Sequence, residues 1–99
     1  MIDPIRDAVK ADAHSLAGRV RAADRAEITA ASGASPLKAL LAGFRHSVRP
    51  KVVEHAGRVE ALFGVIPTGP GEGFPWMIGS DAITGKAKWP FARVSRREV

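Results

Sequence analysis

Apolar and polar positions alternate most regularly between Val52 and Thr84, where KVVEHAGRVEALFGVIP, TGPGEGFP and WMIGSDAIT follow one another. The first run predicts a hairpin closed at Ala56-Gly57-Arg58, because Gly57 can take the positive φ of a tight reversal without a Cβ penalty. In its second half Val59, Ala61, Phe63 and Val65 share one side and Leu62 joins from the other. A strand apolar on both faces belongs in the middle of a sheet, with Phe63 buried. Trp76, Ile78 and Asp81-Ala82-Ile83 form a third run. The glycine- and proline-rich stretch before it predicts a loop in which no regular element persists.

Upstream, Ile5 to Val9 is a short edge strand, and Asp12 is a candidate N-cap for a helix from about Ala13. Leu16, Val20 and Ala23 recur at helical spacing, and the pattern resumes through Ala26, Ile28 and Ala31. A break near Ala22 and Ala23 would divide the segment into two pieces. Gly18 lies inside it and Gly33 ends it. Ser35-Pro36 then supplies an N-cap and a proline at the first helical position, and Leu37, Leu40, Leu41 and Phe44 line one face. Arg49-Pro50 is expected to close that helix, since a residue before proline is pushed out of helical geometry. Beyond the third strand, Gly85 to Trp89 make a turn, and Pro90 opens a final helix with Phe91, Val94 and Val99. There is no internal repeat or low-complexity tract.

Ninety-nine residues, 45% of them hydrophobic and 6% aromatic, make one small domain with a thin core. The absence of cysteine excludes disulfides, thiolate zinc sites and cysteine nucleophiles. No apolar run approaches the roughly 18 to 20 residues of a membrane span, and MIDPIRDAVK lacks the apolar core of a signal peptide. A soluble protein without membrane association is expected. Fifteen Lys and Arg against ten Asp and Glu give a formal charge of +5. The first third is nearly balanced, and the excess lies in Arg45, Arg49 and Lys51 and in Lys86, Lys88, Arg93, Arg96 and Arg97. Solubility and protein contacts account for it, with nucleic acid as the alternative.

Recognisable chemistry is sparse. His14, His46 and His55 lie in separate elements without metal-ligand spacing, so no metal site is expected. GPGEG is followed by an extended run, whereas a phosphate cradle needs a helix start directly after its glycines. Asp81 with Glu54 or Glu60 could form a general acid and base pair, although Asp81 beside Ser80 is equally a turn residue. Asp24 with Arg21 suits a stabilising helix pair. Trp76 and Trp89 are the natural core or interface anchors.

The order strand, helix, helix, hairpin, strand, helix resembles the front half of the N-acetyltransferase (GNAT-like) fold, with IRDAVKADAHSLA as opening strand and first helix. RAADRAEITAASGASPLKALLAGFRHS, ALFGVIP, FPWMIGSDAIT and FARVSRREV are more narrowly similar to acetyltransferase-like internal virion proteins of short-tailed bacteriophages. The resemblance implies a small α+β domain of order β-α-α-β-β-β-α with a mostly antiparallel sheet, ending where a full acetyltransferase would continue. In active members a glycine-rich loop after the fourth strand holds acetyl-CoA; here only Gly85 remains and Pro90 removes an amide. The expectation is therefore a degenerate, non-catalytic virion component without a cofactor, an internal core, ejection or head-tail junction protein. An acyl-CoA-dependent N-acetyltransferase, or a subunit of one, is the alternative. Partners would be other virion proteins or symmetry copies, met by Trp89, Phe91 and Val94 with Arg93, Arg96 and Arg97 on the rim. The implied location is the virion, and the host cytoplasm during assembly.

Overall fold

The computed structural model describes residues 4–83. Its elements are β1 (Ile5–Asp7), α1 (Lys10–Ala17), α2 (Ala22–Ser32), α3 (Pro36–His46), β2 (Val48–His55), β3 (Arg58–Gly69), β4 (Glu72–Gly79) and a 3₁₀ turn at Asp81–Ile83. The strands form one antiparallel sheet in the order β1-β2-β3-β4. The chain is α+β, as expected, with three helices rather than two before the hairpin. The final helix expected from Pro90 lies outside the described residues.

β3 is the interior strand that its two-sided apolar pattern predicts. Phe63 is 8% exposed, and Ala61 and Leu62 are fully buried. Helices α1 and α3 pack against each other and against β3. Leu16, Leu40, Val52 and Leu62 are fully buried and form the centre of the core with Ala13, Val20 and Val59. Burying side chains of this size contributes roughly 1.5–3 kcal/mol each. Val59 joins Leu62 in this cluster instead of sharing a side with Ala61 and Phe63. The register explains the correction: Val53 opposes Ala61 and Glu54 opposes Val59, so Glu60 is an extra residue on β3. A β-bulge there breaks the strict alternation on which the sequence reading relied.

The hairpin turn has both central residues at positive φ, Ala56 at 52° and Gly57 at 79°, the combination that matches the twist of antiparallel strands. The expected loop between the second and third runs is instead the tip of a second hairpin. Pro67 pairs with Gly73 and Gly69 with Glu72, leaving Pro70-Gly71 as the turn. Proline followed by glycine at φ 73° suits a type II reversal, so turn chemistry ends each strand late and does not dissolve it. At its other end, β4 stops at Gly79, and Asp81-Ala82-Ile83 turn in a 3₁₀ helix where the sequence pattern predicts strand.

Several boundaries move for physical reasons. Asp12 is not the N-cap of α1: the helix begins at Lys10, and the Asp12 carboxylate reaches back from the first turn to accept the Val9 amide at 2.8 Å. Ser35 does cap α3, accepting from the Lys38 amide at 3.2 Å, with Pro36 in the first turn. Arg49-Pro50 does not close that helix, which ends at His46, but lies inside β2 as a second bulge between the Val48–Val65 and Lys51–Phe63 pairs. Arg49 has φ 52°. Left-handed backbone costs a non-glycine residue about 1–2 kcal/mol.

Trp76 sets the distance between α3 and the sheet. Its indole lies over Gly43 of α3 and beside Gly64 of β3, and its Nε1 donates to Ser47 Oγ at 2.6 Å. A Cβ at Gly43 would stand 2.6 Å from the ring, so only glycine lets the helix come this close.

Candidate functional site

The bulge at Glu60 places a carboxylate in the interior, where an unpaired charge would be strongly disfavoured. Glu60 is 2% exposed. Its Oε1 accepts from Arg19 Nη1 at 3.0 Å and from Ser80 Oγ at 2.6 Å, and its Oε2 accepts from Arg58 Nε at 3.3 Å. Arg19 also donates to the Val59 carbonyl at 2.8 Å, and the Ser80 amide donates to the Glu60 carbonyl at 2.9 Å. Arg19 comes from the connection between α1 and α2, Arg58 from the start of β3 and Ser80 from just past β4. These residues, with Gly18, Asp81 and Ala82, line an open recess of about 360 Å³.

The Ser80 hydrogen bond and the charges of Arg58 and Arg19 outweigh burial and hold the Glu60 carboxyl below its ordinary value. At neutral pH it is ionised, and both of its oxygens are engaged. A carboxylate in that state has no proton to give and little call to accept one, so it serves as a strut rather than as half of an acid and base pair. Glu54, the other partner considered for Asp81, is on β2 and accepts from Arg6 Nε at 3.2 Å.

A second strut lies beside the first. Val20 bridges to Ser80, and the Arg21 amide donates to the Gly79 carbonyl at 2.9 Å. Asp24 of α2 is 5% exposed. Its Oδ2 accepts the Gly79 amide at 2.9 Å, and its Oδ1 accepts from Arg21 Nη2 at 2.9 Å. The chain thus leaves helical geometry at Gly18 to pair with the end of β4, a few residues before the break near Ala22 and Ala23 that the pattern predicts.

These contacts also change the outer edge of β4. Gly79 directs its N–H and C=O outward, to Asp24 and Arg21, so by antiparallel alternation Met77 and Pro75 direct theirs outward too. Pro75 has no N–H to offer. The edge is closed at one end and lacks a donor in its middle, which are protections against strand addition.

His14, His46 and His55 are exposed and lie on α1, α3 and β2. Among the described residues there is no cluster of three or more groups able to hold a metal ion. Trp89, Phe91, Arg93, Val94, Arg96 and Arg97, the partner-binding residues expected from sequence, lie outside the described residues. Sequence reasoning missed the grouping of Glu60 with Arg19, Arg58 and Ser80. The available signal was a glutamate in VEALFGV, a run apolar on both faces, where a charge requires a partner. No family model, curated protein or solved structure matches the chain.

Proposed function

We propose that this chain is a non-catalytic assembly module: a virion component of a short-tailed bacteriophage, internal core, ejection or head-tail junction protein, on a degenerate acetyltransferase-like fold. The phage assignment rests on the sequence resemblance. The described residues run strand, three helices, hairpin and strand, one helix more than the resemblance implies, and β4 leads into a 3₁₀ turn. The non-catalytic reading is supported by carboxylates that are locked in ion pairs at the end of the sheet.

The observation that carries a binding role is the exposure of α2. It is an 11-residue helix whose buried residue is Asp24. Ala23, Ala26, Ala30 and Ala31 are exposed, and Ile28 is half-buried. Helices shorter than about 12–15 residues are marginal in water without tertiary packing. Small side chains along an exposed helix allow close approach of another helix, so α2 is assigned to contact a neighbouring virion protein or a symmetry copy.

Mass spectrometry of purified phage particles tests the location, and absence of the chain from them overturns it. Ala26→Arg with Ala30→Arg is expected to leave the melting temperature within about 2 °C and exclude the chain from particles, these being surface changes. Packaging at the wild-type copy number removes α2 as the docking surface. Calorimetric titration with acetyl-CoA addresses catalysis: a dissociation constant in the low micromolar range, about 8 kcal/mol of binding, overturns the degenerate reading.

A further inference from the structure

Most cations of the described residues are held by partners within the fold. Arg6 is bound to Asp12 and Glu54, Arg19 and Arg58 to Glu60, Arg21 to Asp24, and Lys51 to Asp7. Arg25 donates to the Val20 carbonyl. Lys10, Lys38, Arg45 and Arg49 are exposed and form no ion pair among the described residues, Lys38 lying about two helical turns before Arg45 on α3. Arg45 and Arg49 are close in sequence, and the packing of α1 on α3 brings Lys10 to Arg45. Lys10 and Arg45 line a recess of about 390 Å³ with Leu41 and Phe44. Arg49 and Lys51 line another of about 370 Å³ with Asp7, Ala8 and Pro50. Ala8 of the second recess is two residues before Lys10 of the first, and the Ala8 amide donates to the Pro50 carbonyl at 2.9 Å. Asp7 is the acid lining these recesses; Lys51 Nζ holds it at 2.6 Å, and the charge of Arg49 also acts on it. Arg49 reaches its place through the left-handed backbone of the β2 bulge, a conformation that persists only where the surrounding structure imposes it.

We propose that this surface binds the phosphate backbone of nucleic acid, independently of sequence. A repeating polyanion supplies a negative group to both recesses at once, whereas a single carboxylate fills one. The apolar walls at Leu41, Phe44 and Pro50 suit sugar and base surfaces between phosphates. Cations that neutralise phosphates displace the polyanion's condensed counterions, so affinity falls steeply with salt. The proposal is independent of the α2 contact and of the phage assignment.

Fluorescence anisotropy with labelled duplex and single-stranded DNA of about 25 nucleotides tests it, with dissociation constants of roughly 10⁻⁶ to 10⁻⁴ M expected at physiological salt and tighter binding at low salt. The variant combining Lys10→Ser, Arg45→Ser and Arg49→Gly is expected to lose about tenfold or more, with the slope of log affinity against log salt shallower by about 2–3. Glycine at position 49 accepts the same backbone, and circular dichroism verifies folding. Arg25→Ser, removing an exposed cation on α2, is expected to change affinity less than threefold at low salt, since it does not contact phosphate in this assignment. No DNA binding by the wild type at 50 mM salt overturns the proposal, as does a triple variant that keeps wild-type affinity and slope. Binding of vesicles containing anionic lipid, lost in the triple variant and unaccompanied by DNA binding, reassigns the surface to membrane and overturns it too.

Discussion

Helices α1 and α2 each carry an aspartate at the third helical position, Asp12 and Asp24, both 5% exposed and both bridged to an arginine. Asp12 turns back to the Val9 amide of its own helix. Asp24 reaches across to Gly79, 55 residues away in sequence. Beyond the aspartates the difference widens: α1 buries Ala13 and Leu16 in the core, while α2 buries no further residue. One helix is held by apolar packing with its acid as a local trim. The other is held chiefly by a single charged contact at its first turn. The same residue at the same helical position is therefore accessory in one place and structural in the other.

Truncating the two acids gives the largest expected contrast. Asp24→Ala strands the Gly79 amide and leaves Arg21 uncompensated in a nearly buried site, and is expected to cost about 3–5 kcal/mol. Asp12→Ala loses a cap and a bridge to an Arg6 side chain that is 38% exposed, so solvent replaces much of it and about 1–2 kcal/mol is expected. Urea denaturation of both variants measures the difference, and equal losses would remove the distinction between the helices. The apolar comparison follows. Leu16→Ala should cost about 2–5 kcal/mol, whereas Ile28→Ala, half-buried on α2, should cost less than about 1 kcal/mol. A loss at Ile28 as large as that at Leu16 would mean that α2 is seated in the core after all.

The smallest effect is read in acid. The Asp12 carboxyl is raised by burial but brought below its ordinary value by the Arg6 hydrogen bonds and the Val9 amide. Glu60 is lowered by Ser80 and its arginines. Unfolding returns both toward ordinary values, 3.8 and 4.5. The unfolded chain then binds more protons in acid, so this stability is fully present above those values and is lost as pH falls through the depressed folded ones. The melting temperature should hold above about pH 5 and drop below it. Glu60→Gln and Asp12→Asn should each start lower and show a shallower decline. A wild-type profile that stays flat to pH 3 would contradict both assignments.

The hairpin at Ala56-Gly57, the central place of β3, the burial of Phe63 and the Ser35-Pro36 start of α3 were legible in the residues alone. Each follows from local chemistry: a glycine in a turn, period-two apolar alternation, a cap followed by proline. The Asp24–Arg21 pair was legible for the same reason, being one turn of helix. What the residues did not disclose is that the alternation slips at Glu60, that Arg49-Pro50 sits within a strand, or that an alanine-rich amphipathic pattern in α2 faces outward. Bulges depend on the register between two strands, and burial depends on what stands opposite, neither of which is written within a short window of sequence. Likewise Glu60 acquires its character from Arg19 and Ser80, and Lys10 meets Arg45 only because α1 packs on α3. Residues far apart along the chain become neighbours through the fold, and the electrostatics of both surfaces are set by that proximity.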